Sequence, residues 1–393
     1  MKLVNEIIER ENTKKTNFNV LGAEIKAQRL KNNLTLKETS DNVCSISYLC
    51  KIERNDINLN PELIEKLCDK LSISDAELRT LYNLNQIEAL IIKGYYYDDK
   101  EEIDNAYSKV KGLDNYKASI IKFAYYLYYD KLDEAIMINN KLNQLTAAMN
   151  NTDLIVYALF SAILYKKSHK YSDAINILKR IVDSQELSEF GHMIAVHMLC
   201  DIYYIGNSKR FLPMVIKGLD GDSRLMNHKS FDKLMLLKAK YFLMNGIYDE
   251  FYILKKSFKN TEYEGEINLL DDIYNYKVSK PQDYKGISKF YYYLAMYHHN
   301  SKRFFLLEKS YDDLNDEEVL FIKFLELTSK NNEEMFPVLY SEIFPTALKL
   351  NVSYLVECVS KILVDKLCSD TRYKLAFEVL NKAYKQMRLF DTL

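Results

Sequence analysis

The stretch NVCSISYLCKIERND, from Asn42 to Asp56, gathers residues that could do three different kinds of chemistry. Cys44 and Cys50 could ligate a metal. Leu49 and Ile52 could belong to a core. Ser45, Ser47, Tyr48, Lys51, Arg54 and Asn55 could read a nucleic acid, with short polar groups for base edges and basic groups for phosphate or guanine. The metal reading fails on spacing. The six cysteines are Cys44, Cys50, Cys68, Cys200, Cys358 and Cys368, and no two of them are spaced C-x-x-C. Isolated cysteines in a reducing cytosol are mostly small core residues. Built as a helix from Ile46, the stretch puts Ile46, Leu49, Cys50 and Ile52 on an inward stripe. Ser45, Ser47, Tyr48, Lys51, Arg54 and Asn55 then lie on or beside the outward face, the division a DNA-reading helix needs. Lys37, on the element before it, joins the candidate DNA contacts.

The neighbouring sequence supplies elements that could hold such a helix. Five short helices follow one another between Val20 and Asn83. VLGAEIKAQRLKNN places Val20, Leu21, Ile25 and Leu30 near one face of the first. LTLKETSDNV begins the second, with Thr35 as N-cap and Glu38 three residues on as its capping-box partner. SISYLCKIER is the third, capped by Ser45. NPELIEKLCDKLSI is the fourth, with Asn60 as N-cap and Pro61 at the first helical position. SDAELRTLYNL is the fifth, capped by Ser74. The tight turn around Val43, Cys44 and Ser45 joins the second and third as a helix-turn-helix. Arg29 on the first helix is within reach of Glu53 on the third as a structural salt bridge.

Beyond about residue 86 the pattern changes to helix pairs. In ALFSAILYKKSHKYSDAINILKRIV, Ala162, Tyr165, Tyr171, Ala174, Leu178 and Ile181 fall where a tetratricopeptide repeat places small, aromatic, aromatic, small, large and apolar residues. Leu132, Phe211, Tyr248, Phe304 and Tyr373 repeat the place of Tyr171. Steps from Leu132 to Tyr171, Phe211 and Tyr248 are 39, 40 and 37 residues, and the next step, to Phe304, is 56. An insertion is therefore expected around NTEYEGEINLLDD and VSKPQDYKG. The domain plan is a polar extension over 1–18, a helix-turn-helix domain over 19–72, a linker helix over 73–90 and a repeat domain over 91–393.

Bulk composition agrees with an all-α chain. The 393 residues include only 10 Gly and 5 Pro, the residues that punctuate helices, against 32 Tyr. The formal charge of −1 means that any nucleic-acid binding is local. From Asn19 to Asp56 there are six basic residues against five acidic ones, so one domain would bind weakly and a dimer on a near-palindromic site is expected. The N-terminal residues do not read as a signal peptide, and LIVYALFSAILY is too short to span a bilayer, so a cytoplasmic protein without membrane contact is expected. No H-E-x-x-H, P-loop, G-x-G-x-x-G or G-x-S-x-G occurs. His192 and His197 are turned ~140° apart on a helix and cannot share a ligand as an i,i+4 pair could. No enzyme, metal or cofactor is expected.

The run LGAEIKAQRLKNNLTLKETSDNVCSISYLCKIERND resembles the Xre/Cro-type helix-turn-helix. It is similar in particular to the form heading the RRNPP peptide-sensing regulators (Rgg, Rap, NprR, PlcR, PrgX), whose shortened turn is matched by NVCSIS and whose K-I-E is matched by Lys51–Glu53. The resemblance implies an N-terminal Xre/Cro-type head followed by a right-handed TPR-like α-solenoid. It implies a quorum-sensing transcription regulator of Gram-positive bacteria, governing sporulation, toxin or virulence genes. Its repeats would bind a short signalling peptide and form a homodimer on double-stranded promoter DNA. A Rap-like module that inhibits a response regulator or kinase through its repeats is the alternative. Two departures stand out: Leu36 replaces a Gln that touches phosphate, and Thr39 replaces a core Leu. By repeat phase, Lys167, Tyr203, Asn207, Lys240, Tyr292 and Asn300 are the candidate peptide contacts.

Overall fold

The structure is a computed structural model that describes residue 3 and residues 21–53, 57, 61–73, 75–184, 186–206, 208–306, 308–330 and 335–392. No strand occurs among the described residues, and the chain is all-α. Two compact units divide it, Met1–Met198 and Leu199–Leu393.

The first unit opens with four short helices: α1 (Leu21–Lys31), α2 (Leu36–Ser40), α3 (Ile46–Glu53) and α4 (Pro61–Leu71). Ile25, Leu49, Ile52, Leu67, Cys68, Leu71 and Ile73 form their core. Leu36 packs half-buried against that core, so its apolar side chain has a packing role. Thr39 is fully buried and donates its hydroxyl to the Thr35 carbonyl at 3.0 Å, which satisfies a polar group where an apolar one was expected. Leu30 is exposed and does not join Ile25 on the inward face of α1. Val20 and the caps Asn60 and Ser74 lie outside the described residues.

Helix α5 (Asp75–Tyr97) runs unbroken through residue 90. It is followed by α6 (Lys100–Val110), α7 (Tyr116–Tyr128), α8 (Leu132–Leu142), α9 (Asn151–Lys167) and α10 (Tyr171–Asp183). Ala162, Ala174, Leu178 and Ile181 are completely buried between α9 and α10. The turn between that pair explains how so few glycines suffice. His169 takes φ +55, and the Lys170 N–H reaches back to the Tyr165 carbonyl at 2.8 Å. The same closure recurs with Asp98 and Asp130, where Asp99 bonds Gly94 at 2.8 Å and Lys131 bonds Tyr126 at 2.9 Å. Such left-handed helix ends usually use Gly. Here short polar or aromatic side chains tolerate the position.

Helix α11 (Glu189–Ile205) leads into the second unit. That unit continues with α12 (Phe211–Leu225), α13 (His228–Met244), α14 (Tyr248–Lys255), α15 (Glu264–Tyr274), α16 (Lys289–His299), α17 (Ser301–Leu306), α18 (Asp316–Lys330), α19 (Met335–Val338), α20 (Phe344–Leu350), α21 (Ser353–Ser369) and α22 (Tyr373–Thr392). The long step between Tyr248 and Phe304 holds α15 and the segment after it. Gly265 is required there, because a Cβ would stand 1.9 Å from the Lys285 carbonyl oxygen. Leu132, Tyr171, Phe211, Tyr248 and Tyr373 each begin the second helix of a pair. No helix among the described residues is long and apolar enough to cross a membrane.

Candidate nucleic-acid interface

The site is built from the end of α2 outward. Thr35 accepts from the Glu38 N–H at 3.2 Å, and Glu38 returns an acceptor to the Thr35 N–H at 2.7 Å, which fixes where α2 starts. Hydrogen bonding from the Thr35 backbone, and then from its hydroxyl, holds the Glu38 carboxyl below its ordinary range. After Ser40 the chain turns sharply. Asn42 adopts φ +58, a conformation asparagine tolerates, and the Val43 and Cys44 N–H groups both bond the Ser40 carbonyl, at 3.0 and 2.9 Å. Lys70 of α4 clamps the turn through the Asp41 carbonyl at 2.5 Å. Ser45 starts α3 by accepting from the Tyr48 N–H at 3.2 Å.

Leu49 and Ile52 anchor α3 in the core, and Glu53 ties its last turn to α1. The Arg29 guanidinium grips Glu53 with two bonds, Nε to Oε1 at 2.5 Å and Nη2 to Oε2 at 2.9 Å. Its Nη1 also donates to the Leu34 carbonyl at 3.1 Å. Both side chains are buried, so the pair fixes the axial rotation of α3 against α1 rather than offering a contact. The outward face carries Ser45, Ser47, Tyr48 and Lys51, all exposed, and Lys37 is exposed on α2. Arg54 and Asn55 lie outside the described residues.

The inward stripe needs one correction. Ile46 is 47% exposed and belongs to the rim of the outward face. As the first helical residue it lies about 70° from the centre of the buried arc formed by Leu49, Ile52 and Glu53, taking 100° per residue. Cys50 is half-buried, and burial pushes the Cys44 thiol up, away from the thiolate a metal would need. Among the described residues no cluster of His, Cys, Asp and Glu could hold a metal ion.

The candidate peptide contacts do not form one group. Lys167 pairs with Asp130 in the first unit. Tyr203 is only 2% exposed, so it is a core ring and is corrected as a ligand contact. Asn207 lies outside the described residues. Asn300 caps the junction of α16 and α17, donating to Met296 and accepting from Phe304 through its backbone. Tyr292 is exposed beside Tyr293. Lys240 pairs with Glu266 and lies 5.1 Å over the Tyr291 ring.

Around that last pair the second unit gathers residues the repeat phase missed. Burial raises the Tyr204 phenol, with the Glu266 charge adding to it, and raises Tyr291 beside Glu266, Tyr204 and Glu318. Burial likewise raises Tyr354, which faces Glu317 and Tyr204. Yet Tyr354 keeps 37% of its surface open. The phase selected Tyr203 and Tyr292 where Tyr204 and Tyr291 face the cluster. One residue is 100° on a helix, and consecutive tyrosines gave no means of choosing between neighbours.

Residues 25–78 match the family model described as helix-turn-helix. This part of the chain is a helix-turn-helix domain. Over 151 residues the chain is 25% identical to the transcriptional activator NprA of Geobacillus stearothermophilus, a match covering 36% of this chain and 37% of that protein. The matched length is thus well under half of that relative. Two solved structures are similar. PlcR of Bacillus thuringiensis, in complex with the peptide PapR7 and DNA, is 18% identical, with 65% of this chain and 98% of that chain covered and a TM-score of 0.33. The SHP pheromone receptor Rgg2 of Streptococcus dysgalactiae is 15% identical, with 61% and 98% covered and a TM-score of 0.19. At these TM-scores neither superposition carries an argument.

Proposed function

We propose that this chain is a cytoplasmic, peptide-responsive transcription regulator of the RRNPP kind, and not an enzyme. The observation that carries the reading is the division of α3. Leu49, Ile52 and Glu53 face inward, and Ser45, Ser47, Tyr48 and Lys51 face solvent beside Lys37. On DNA, α3 enters the major groove. Ser47 and Tyr48 meet base edges, and Lys51, Lys37 and the following Arg54 and Asn55 meet phosphate or base. Local charge of about one supports only weak binding by a single head, so two heads act together as a homodimer on a near-palindromic promoter site.

Control by a short peptide is supported by a tyrosine cluster of the second unit, in which Tyr204 and Tyr291 lie near the Lys240–Glu266 pair and Tyr354 lies near Tyr204 and Glu317. Aromatic rings with polar tips suit an extended peptide, offering apolar area and hydrogen bonds together. Binding there biases the dimer between two arrangements of its heads, a population shift.

Promoter fragments recovered by chromatin immunoprecipitation from the native host supply the DNA for the test. Lys51→Ala should weaken binding on every fragment and reduce the salt slope by about one. Tyr48→Ala should weaken binding in a sequence-dependent way. Full promoter binding by a Lys51→Ala, Arg54→Ala double variant would overturn the site. A cognate peptide should raise the melting temperature of the chain, and Tyr354→Ala should remove that shift.

A further inference from the structure

The long step between Tyr248 and Phe304 leaves two adjoining cavities along α15. The turn entering α15 is closed by Thr261, whose N–H and hydroxyl both donate to the Phe258 carbonyl, at 3.1 and 2.7 Å. The segment after α15 is pinned by Tyr284, whose hydroxyl donates to Asp272 at 2.8 Å and accepts from the Ser279 N–H at 3.0 Å. The cavities have volumes of about 720 and 360 Å³ and share Lys255, Glu264 and Asn268 as lining. Glu264, Asn268 and Asp272 fall on one face of α15. Glu266, which pairs with Lys240, is turned roughly 160° from the middle of that face.

The smaller cavity brings unlike groups together. Tyr252, with the buried Phe258 and Ile267, gives it an apolar floor. Lys255 is already committed to Asp271, at 2.5 Å. Lys256 and Lys259 also line the cavity, both exposed, and neither has an ion pair among the described residues. Glu264 accepts from the Asn260 N–H through Oε2 at 2.8 Å, and its Oε1 has no hydrogen-bond partner among the described residues. The half-buried Asn268 carboxamide has none there either.

We propose that this cavity binds a free amino acid with a large apolar side chain. The assignment is independent of the peptide-binding cluster, because it uses the other face of α15. The carboxylate of the ligand meets the Lys256 and Lys259 ammoniums. Its ammonium meets Glu264 Oε1 and the Asn268 side-chain oxygen, and its side chain covers the floor of Tyr252, Phe258 and Ile267. Charge complementarity selects this class of ligand. A phosphorylated ligand would face Glu264 here and Asp272 and Asp283 in the larger cavity, and like charges oppose it. A wholly apolar ligand would cover Glu264 and Asn268 without pairing them. An α-amino acid offers a group to each.

Isothermal titration of the full chain with L-phenylalanine, L-leucine and L-methionine tests this. At least one of them should bind, at one molecule per chain, and the tightest becomes the reference. Its N-acetyl derivative, its carboxamide and glycine should each bind weaker by about tenfold or more, since each lacks one of the three matched groups. Two variants then separate the ends of the site. Glu264→Gln keeps an acceptor for Asn260, and it should weaken the reference by about tenfold or more while leaving the N-acetyl derivative unchanged. A Lys256→Gln, Lys259→Gln double variant should weaken the reference similarly and leave the carboxamide unchanged. Both variants should keep the circular dichroism of wild type. No binding of any of the three amino acids at millimolar concentration would overturn the site. Equal affinity for the reference and its N-acetyl derivative would overturn the ligand class, and binding unchanged in both variants would overturn the location.

Discussion

Two buried ionic clusters in the first unit look alike and differ in one respect, the ratio of charges. In the helix-turn-helix head, one guanidinium meets one carboxylate, Arg29 with Glu53, and the leftover donor of Arg29 finds the Leu34 carbonyl. Where α5 meets α7 and α9, one ammonium serves two carboxyls. Lys117 bonds Asp153 and Asn85, each at 2.5 Å, and the Tyr116 hydroxyl bonds the other oxygen of Asp153 at 2.5 Å. Glu88 is buried beside them, and its Oε2 has no hydrogen-bond partner. Burial pushes the Glu88 carboxyl up to about 8, with the Asp153 charge adding and Lys117 opposing. The first cluster is closed, one guanidinium gripping one carboxyl group. The second closes at neutral pH only because one carboxyl keeps its proton.

Removing the shared cation should do the most damage. Lys117→Met leaves Asp153 buried without its counter-charge, and breaking a buried pair from one side costs about 3–5 kcal/mol. Urea unfolding followed by tyrosine fluorescence should show an earlier transition than any other single substitution in either cluster. A loss below ~1 kcal/mol would mean that water reaches Asp153, and the contrast between the clusters would dissolve.

Arg29→Met should come next, at roughly 2–4 kcal/mol, because it strands Glu53 in the head core. The loss should be local. Amide hydrogen exchange in α1 and α3 should accelerate while α9 and α10 keep their protection. Equal acceleration in both regions would show that head and repeats unfold as one body. DNA affinity should fall with the loss of α3 positioning, although the Arg29 side chain itself is buried.

The head was the more legible of the two in sequence, and the reason is locality. Thr35 with Glu38, Ser45 with Tyr48, and the outward set Ser47, Tyr48 and Lys51 are separated by a few residues, so helix geometry alone places them. Arg29 and Glu53 are 24 apart, yet both sit on short helices whose packing a tight turn dictates. Ile46 escaped because the first turn of a helix sits at the rim, where a stripe drawn from its middle is least accurate. The Lys117 cluster was not legible. Its members come from three helices, and nothing in Glu88 or Asp153 distinguishes them from the many solvated acids nearby. The tyrosine cluster failed for a third reason: in runs such as YYI and YYYL every phase offers an aromatic residue.

Glu88→Gln should have the smallest effect at fixed pH and the most informative one across pH. At pH 5, close to the unfolded value, the folded wild-type side chain is neutral and an amide of the same shape replaces it for less than ~1 kcal/mol. On raising the pH the two chains should part. The Glu88 carboxyl holds its proton in the folded state up to about 8, whereas the unfolded chain releases it near the ordinary 4.5. Between those values the folded state binds the extra proton, so wild-type stability falls as pH rises, by up to ~1.4 kcal/mol per unit, and levels off above the folded value. The glutamine variant lacks that slope. Thermal melts from pH 5.5 to 8.5 should therefore show wild type losing ground steadily, with the variant the more stable of the two at pH 8. Parallel profiles would mean that Glu88 is already ionised at neutral pH and that Lys117 balances two charges, which would make the two clusters alike after all.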